Sequence, residues 1–586
     1  MMRKIFSKCM AMMMTLAMIL TMGMTAFAAE TTGTLTINNT VAGKTLDLYQ
    51  IFTATKSENN VAYTLNPAYE GFFQNKIEGA SELTGEALSE KAYDYVKTQV
   101  GTDGSNGAAF AKDMLGWILD SSNDVSATHT TATTTADSTV ISNLAYGYYL
   151  VYPLGATDTS SAPGEQTYTS TASLVSVTGN VSVNMKSNYP TVDKKIIPAQ
   201  SSTNNSQTVD AIIDGSWEAS HGMTLDDETS DEDNIAPQSV AAGDEKNAAD
   251  FNVGDTVTFQ LTSKVPDMTG YNSYIFNFKD TLSKGLDFTA IQSVKVGNTE
   301  LTAKSSGNNT YKPAYDKNSR TLTVTLNNFY ESYKDHVGET ITVVYTATLN
   351  KDAVVGMNPN TNKATVEYSN DPSSNTKGES EPSVVDVHTF DFTIFKYYKD
   401  AENDDKETAL AGAEFELYKA DANDDSKAGE KVNIVDEGNG VYRQATAEEA
   451  AVTDPKFESA LIVSDDDGKV QVKGLEAGTY YLREVNAPAG YNNLLTDIKV
   501  VITANYDETT GKLTSYKVDY TYNGATTNGT AITSKDNSPE VAVENKSGAE
   551  LPSTGSRGAL MVTLAGVILF GVLATSSLVS KRRRAK

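Results

Sequence analysis

Val257-Thr258-Phe259-Gln260-Leu261 places an apolar residue at every second position. Leu322, Val324 and Leu326 repeat the pattern, as do Ile341, Val343 and Tyr345. A period of two with β-branched and aromatic enrichment is the pattern of strands with one buried face. Clusters of Gly, Asn and Asp separate many such runs, which predicts short strands joined by turns. The expected fold is therefore mainly β: tandem immunoglobulin-like β-sandwich domains. Helical spacing is confined to Leu88, Ala92, Tyr95 and Val96 and to Phe110, Met114, Trp117 and Ile118. It predicts some helix in the N-terminal domain, packed on that domain's sheet.

The chain has 586 residues, room for three or four domains at roughly 150 residues each. With 39% hydrophobic and 21% charged residues it can bury cores and lies outside the disordered class. A net charge of −28 argues against nucleic acid and against anionic membrane surfaces as partners. Cys9 is the only cysteine, which excludes internal disulfides and thiolate zinc sites. The four histidines, His129, His221, His336 and His388, are far apart, so imidazole chemistry has little support. No pair of acids stands out as a hydrolytic couple. The acidic runs Asp226-Asp227-Glu228 and Asp231-Glu232-Asp233 lie in a polar stretch, Gln200 to Asp250, read as a long surface insertion. Neither these runs nor Asp465-Asp466-Asp467-Gly468 and Asp404-Asp405 have the spacing of a calcium loop. No metal, no cofactor and no enzymatic activity are expected.

Both ends carry ordered signals. Arg3, Lys4 and Lys8 precede an apolar run from about Ala11 to Met22, closed by Ala26-Phe27-Ala28-Ala29. This is the layout of a secretory signal peptide cut after Ala28, and cleavage would take Cys9 with it. At the other end Leu551-Pro552-Ser553-Thr554-Gly555 precedes an apolar stretch from Ala559 to Val579 and a tail with Lys581, Arg582, Arg583, Arg584 and Lys586. About 21 apolar or small residues can span a bilayer as a transmembrane segment, with the basic tail left in the cytoplasm. The three parts in this order resemble the LPxTG cell-wall sorting signal of Gram-positive surface proteins. That resemblance implies a sortase that cuts between Thr554 and Gly555 and holds the Thr554 acyl group until an amine takes it. Removal of both ends leaves 38 basic against 75 acidic residues, a net charge of −37.

Between the ends, two boundaries divide the chain. A strand-like run stops near Ser187-Asn188-Tyr189-Pro190, and a Ser/Asn/Gly-rich stretch from Ser369 leads to Glu381-Pro382-Ser383. The expected organisation is 1–28 signal peptide, 29–187 N-terminal domain, 188–388 middle β-sandwich, 389–550 C-terminal domain and 551–586 sorting signal.

Three residues of the C-terminal domain break an apolar pattern. Lys396 shares a face with Ile394 in Phe392-Thr393-Ile394-Phe395-Lys396, and Asn545 follows Val541 and Val543. Glu484 is in phase with Leu482 in Gly478-Thr479-Tyr480-Tyr481-Leu482-Arg483-Glu484-Val485. Each would be costly to bury unpaired. Burial lowers a lysine pKa and raises a carboxyl pKa, so the pair would be a neutral amine and a neutral acid. The amine can then attack the Asn545 carboxamide while Glu484 moves protons, releasing ammonia and closing an isopeptide bond between the first and last strands. The middle domain repeats the logic. Val192, Lys194 and Ile196 alternate inward on its first strand, and Asn362 is expected to start its last. Asp280 is in phase with Phe276 and Phe278. Lys195 is the competing amine. The N-terminal domain has a comparable strand, Gly147-Tyr148-Tyr149-Leu150-Val151, but no acid at the matching place, and no such bond is expected there.

The segment around Tyr480–Tyr491 resembles the pilin E-box, and its domain resembles the Cna B-type domains of Gram-positive adhesins and pilins. The middle domain resembles the isopeptide-forming middle domain of sortase-assembled major pilins. Such fimbrial backbone subunits carry an acceptor lysine in a V-x-V-Y-P-K-N type motif at the end of the first domain. Here the stretch is Val181-Ser182-Val183-Asn184-Met185-Lys186-Ser187, with Asn184 and Met185 in place of the tyrosine and proline. Lys186 is the expected linkage residue and Lys195 the alternative.

The resemblance implies a structural subunit of a covalent cell-wall pilus, Thr554 of one copy joined to Lys186 of the next. Its partners would be a pilus-specific sortase, further copies of itself, and peptidoglycan through a housekeeping sortase, with minor pilins and host ligands besides. The competing class is a monomeric wall-anchored adhesin that binds a host or matrix ligand.

Overall fold

The computed structural model describes residues 31–58, 60–101, 107–156, 172–185, 189–198, 207–208, 212, 246–372, 375–400, 406–535 and 537–547. The signal peptide, Lys186, the core of the acidic insertion, the sorting motif and the apolar segment 559–579 lie outside these residues. Among the described residues no helix is long and apolar enough to cross a membrane. The fold is mainly β, and the chain divides into two compact units, one up to Thr389 together with Asn505–Thr514, the other Phe390–Ala504 and the residues from Ser515 on.

In the first part of the first unit, β1 (Thr32–Thr40) and β2 (Leu46–Ser57) open two sheets. β3 (Asn60–Leu65) leads to a helical layer: α1 (Glu70–Lys76), α2 (Gly85–Val100) and α3 (Gly107–Leu119). α2 buries Leu88, Ala92, Val96 and Val100, one residue per turn, and stops where Gly101 takes a left-handed φ of 77°. α3 buries Phe110, Met114 and Ile118, and both helices cover Phe72, Phe73, Phe52 and Tyr49 in one core. β4 (Asp137–Ala145), β5 (Gly147–Pro153), β6 (Ser173–Val177) and β7 (Val181–Asn184) complete the sheets: β4-β1-β7, and β3-β2-β5-β6.

The rest of the first unit is a sandwich. One sheet contains β8 (Asp193–Ile197) and β9 (Thr256–Lys264). The other contains β10 (Phe276–Leu282). They are completed by β11 (Leu286–Val296), β12 (Thr310–Asp316), β13 (Thr321–Leu326), β14 (Thr340–Leu349), β15 (Asn360–Ser369) and β16 (Ser383–His388). The orders are β11-β14-β9-β8 and β16-β15-β10-β13-β12, with shorter strands at the edges. Val257, Phe259 and Leu261 from the first sheet meet Phe276, Phe278, Leu322 and Val324 from the second in one core. The alternation that predicted the strands is thus the packing of one sheet on the other.

One expectation needs correction. Asn362 does not start the last strand, because β15 is followed by β16, which pairs back antiparallel on it from Asn360↔Val387 to Ala364↔Ser383. The polar stretch after Ser369 looks like a linker, yet it delivers Val385 and Val387, both fully buried, to the sandwich core. Short helices also occur outside the N-terminal region, at Phe329–Tyr333 and Ala447–Ala450.

The second unit has two further sheets. Its labelled strands are β17 (Phe390–Asp400), β18 (Glu414–Asp421), β19 (Lys469–Leu475), β20 (Gly478–Asn486), β21 (Ile498–Tyr506), β22 (Leu513–Tyr522) and β23 (Glu540–Glu544). β17 lies between β19 on one side and β23 on the other. In the facing sheet the order is β18-β20-β21-β22. β17 and β23 run parallel, from Thr393↔Glu540 to Tyr397↔Glu544. The first and last strands of this unit are therefore neighbours in one sheet.

Candidate functional site

The parallel register puts Lys396 opposite Val543, and the Asn545 backbone N–H donates to Tyr397 O at 2.9 Å, one residue beyond the end of β23. Both side chains turn into the core, where Lys396 is 0% and Asn545 1% exposed. The Lys396 amine hydrogen-bonds Asn545 Oδ1 and donates to Val543 O at 3.3 Å. Glu484 enters from β20 of the facing sheet: Oε1 lies 3.4 Å from Lys396 Nζ, and Oε2 accepts from Asn545 Nδ2 at 3.4 Å. Leu494 N–H donates to the same Oε2 at 2.8 Å and fixes the carboxylate. Burial pulls the Lys396 pKa down to about 8, against the opposing pull of Glu484. The amine, the carboxamide and the acid thus touch one another directly.

The site depends on a close backbone approach. Lys396 N–H donates to Gly468 O at 2.6 Å, and Gly468 has a left-handed φ of 68°. A Cβ at residue 468 would overlap the Lys396 carbonyl oxygen. Gly468→Ala is therefore expected to cost about 2 kcal/mol or more. Chemical denaturation checks this, and a cost under half that figure would show that the backbone yields.

In the middle sandwich Lys194 lies on β8 and is 1% exposed. Asp280 (1%) and Asn362 (0%) come from adjacent strands of the opposite sheet, with Leu282↔Asn362 and Asp280↔Ala364 in register. Lys194 pairs with Asp280 Oδ2. Burial lowers the Lys194 pKa to about 8 and raises that of Asp280, the charge partner opposing each shift. Lys195 points the other way: it is half-buried, pairs with Asp193 at 3.0 Å and donates to Asn247 Oδ1 at 2.8 Å.

A fourth residue is present here that the sequence reading treated only as an apolar strand position. Tyr345 of β14, fully buried, takes hydrogen bonds from Lys194 Nζ (2.7 Å) and Asn362 Nδ2 (2.6 Å) at its hydroxyl. Its row, Ile341, Val343, Tyr345, already showed the inward face. A phenol at the end of such a row, facing a sheet that carries an acid, was the available signal.

Among the described residues no group of three or more His, Cys, Asp or Glu side chains could hold a metal ion.

Residues 253–372 match the family described as Gram-positive pilin backbone subunit 2, Cna-B-like domain, and residues 396–517 match the SpaA prealbumin-like fold domain. The fimbrial subunit type 2 of Actinomyces naeslundii is 28% identical over 352 residues, which cover 57% of this chain and 58% of that protein. The chain thus spans a little over half of that relative's length. Among solved structures, the T6 backbone pilin of Streptococcus pyogenes is 15% identical with a TM-score of 0.41, covering 89% of this chain and 94% of that one. The Corynebacterium diphtheriae major pilin SpaA is 15% identical with a TM-score of 0.38, covering 88% and 99%. The pilus 2b backbone protein of group B streptococcus is 26% identical with a TM-score of 0.36, covering 52% and 98%.

Proposed function

We infer that this chain is the backbone subunit of a covalent pilus on the surface of a Gram-positive cell. The observation that carries the reading is that the middle sandwich and the second unit each bury a lysine, an asparagine and an acid together in their cores. A lone lysine would be expelled from such a core, whereas a lysine that becomes an amide belongs there. In each cluster the neutral amine attacks Cγ of the asparagine. The Nζ–Cγ bond forms, the Cγ–Nδ2 bond breaks, one Nζ proton ends on Nδ2, and ammonia leaves. Lys396 with Asn545 and Lys194 with Asn362 form the two bonds, and Glu484 and Asp280 move the protons. The protein carries this out once on itself and is otherwise a substrate, not an enzyme.

Assembly uses the ends. A pilus sortase cleaves between Thr554 and Gly555 and passes the acyl group to Lys186 of another copy, and a housekeeping sortase passes the last one to peptidoglycan. Domains at 29–187, 188–388 and 389–550 then repeat along an extracellular fibre, with the signal peptide lost on export.

Cell-wall extracts boiled in detergent are expected to give a ladder of high-mass species that collapses in Lys186→Ala. A single band in the unaltered strain would favour a monomeric wall-anchored adhesin. A ladder that survives Lys186→Ala would make Lys195 or another lysine the acceptor.

A further inference from the structure

The two clusters are wired differently. In the second unit the amine meets the carboxamide directly and the acid meets both. In the middle sandwich, among the described residues, no hydrogen bond joins Lys194 or Asp280 directly to Asn362. Tyr345 stands between Lys194 and Asn362: its hydroxyl accepts from Lys194 Nζ at 2.7 Å and from Asn362 Nδ2 at 2.6 Å, while Lys194 Nζ also pairs with Asp280 Oδ2. A phenol has one proton to donate and two lone pairs, so these two accepted bonds fill its lone pairs and leave its proton to give. The ring is pinned as well, stacked on Phe259 at 5.3 Å and packed against Phe288 at 6.0 Å. Burial, and then the Asp280 carboxylate, hold the phenol well above its ordinary pKa, so it stays a neutral hydroxyl that can accept and donate at once.

We propose that Tyr345 is a catalytic residue of the Lys194–Asn362 bond, its hydroxyl carrying a proton from the attacking amine to the departing amide nitrogen. This deepens the reading of that pair as bond-forming and rests on it. As Nζ bonds to Cγ, one Nζ proton passes to the Tyr345 oxygen and the phenolic proton passes to Nδ2. The Cγ–Nδ2 bond breaks, ammonia leaves, and the phenol ends as it began. Asp280 takes the first proton from the lysine ammonium, which readies the amine. The Lys396–Asn545 bond has no such step.

The test is a timed intact-mass and cross-linked-peptide measurement on the freshly made full chain, comparing wild type with Tyr345→Phe. In the variant the Lys194–Asn362 peptide is expected to form on the order of 100-fold more slowly or not at all, as for loss of a proton-transfer group. The Lys396–Asn545 peptide should form at the wild-type rate in the same molecules. Equal rates for both bonds in variant and wild type would overturn the role of Tyr345 while leaving the bond-forming reading intact. No Lys194–Asn362 peptide in wild type would overturn that reading, and the proposal with it. Folding is separated from chemistry in a background where the bond cannot form. Asn362→Ala and Asn362→Ala/Tyr345→Phe should melt within a few degrees of each other. A double variant that unfolds where the single one folds would make the hydroxyl structural and overturn the proposal.

Discussion

Replacing Asn545 with alanine is expected to lower the melting temperature of the second unit by about 10–20 °C. The proposed bond closes a loop of well over 100 residues from Lys396, and by loop entropy such a closure is worth roughly 5 kcal/mol. In a domain of about 150 residues each kcal/mol moves the midpoint by about 2–4 °C. The substitution also leaves Lys396 as an uncombined amine in a core where it is 0% exposed, which adds to the loss. The same change at Asn362 should act on the first unit. Intact mass gives an independent reading: the wild type should be about 34 Da lighter than its sequence, one ammonia per bond, and each variant should retain one of the two. Calorimetry and mass must agree. A wild-type mass without any ammonia loss, or an Asn545→Ala midpoint within about 3 °C of wild type, would refute the bond.

The second large effect is in pH. In Asn545→Ala the Lys396 amine is free to titrate, and burial, the largest cause of its depressed pKa, remains. The folded value is about 8 against 10.5 for the unconstrained side chain. Between these values the unfolded chain holds a proton that the folded unit has released, so stability rises with pH through this window. Below about pH 8 both states are protonated and the full penalty of the buried charge applies. The expected gain from pH 8 to 10.5 is on the order of 3 kcal/mol. In wild type, with the proposed bond formed, Lys396 would be an amide and would contribute nothing there. The difference between variant and wild-type stability curves therefore isolates this group from the other lysines and tyrosines. A difference that stays constant across the window would show that Lys396 does not titrate as a buried amine.

Strand content was legible because alternation at Val257, Phe259 and Leu261 records a local fact, which side of a strand meets the core. The inward phase of Lys396, Glu484 and Asp280 was legible for the same reason, each standing in step with an apolar neighbour. Two features were not legible, and both are non-local. The strand Ser383–His388 follows a polar stretch that reads as a linker, and only its pairing with Asn360–Ala364 makes it part of the sandwich. The contacts of Tyr345 depend on which strands oppose one another across two sheets. Phe259↔Tyr345 is a register between strands more than 80 residues apart in sequence; the row Ile341, Val343, Tyr345 shows that the phenol points inward but not what it meets.

The position of β16 beyond Asn362 has a mechanical consequence. With Lys194 bonded to Asn362, the cross-link ends one strand short of the end of the middle sandwich. A pull on His388 would meet an inextensible tie only at Asn362. Before that it would meet β16 and the connection behind it, held by ordinary hydrogen bonds and the burial of Val385 and Val387. Those 26 or so residues can unzip and zip again, paying out at most about 3.5 Å each, on the order of 90 Å of slack. In the second unit Asn545 lies beyond the last described strand, so among the described residues no comparable reserve exists there. Each subunit would thus combine one stretch of reversible give with two locked cores, and a fibre built from it would absorb a sudden jerk at the strand after Asn362.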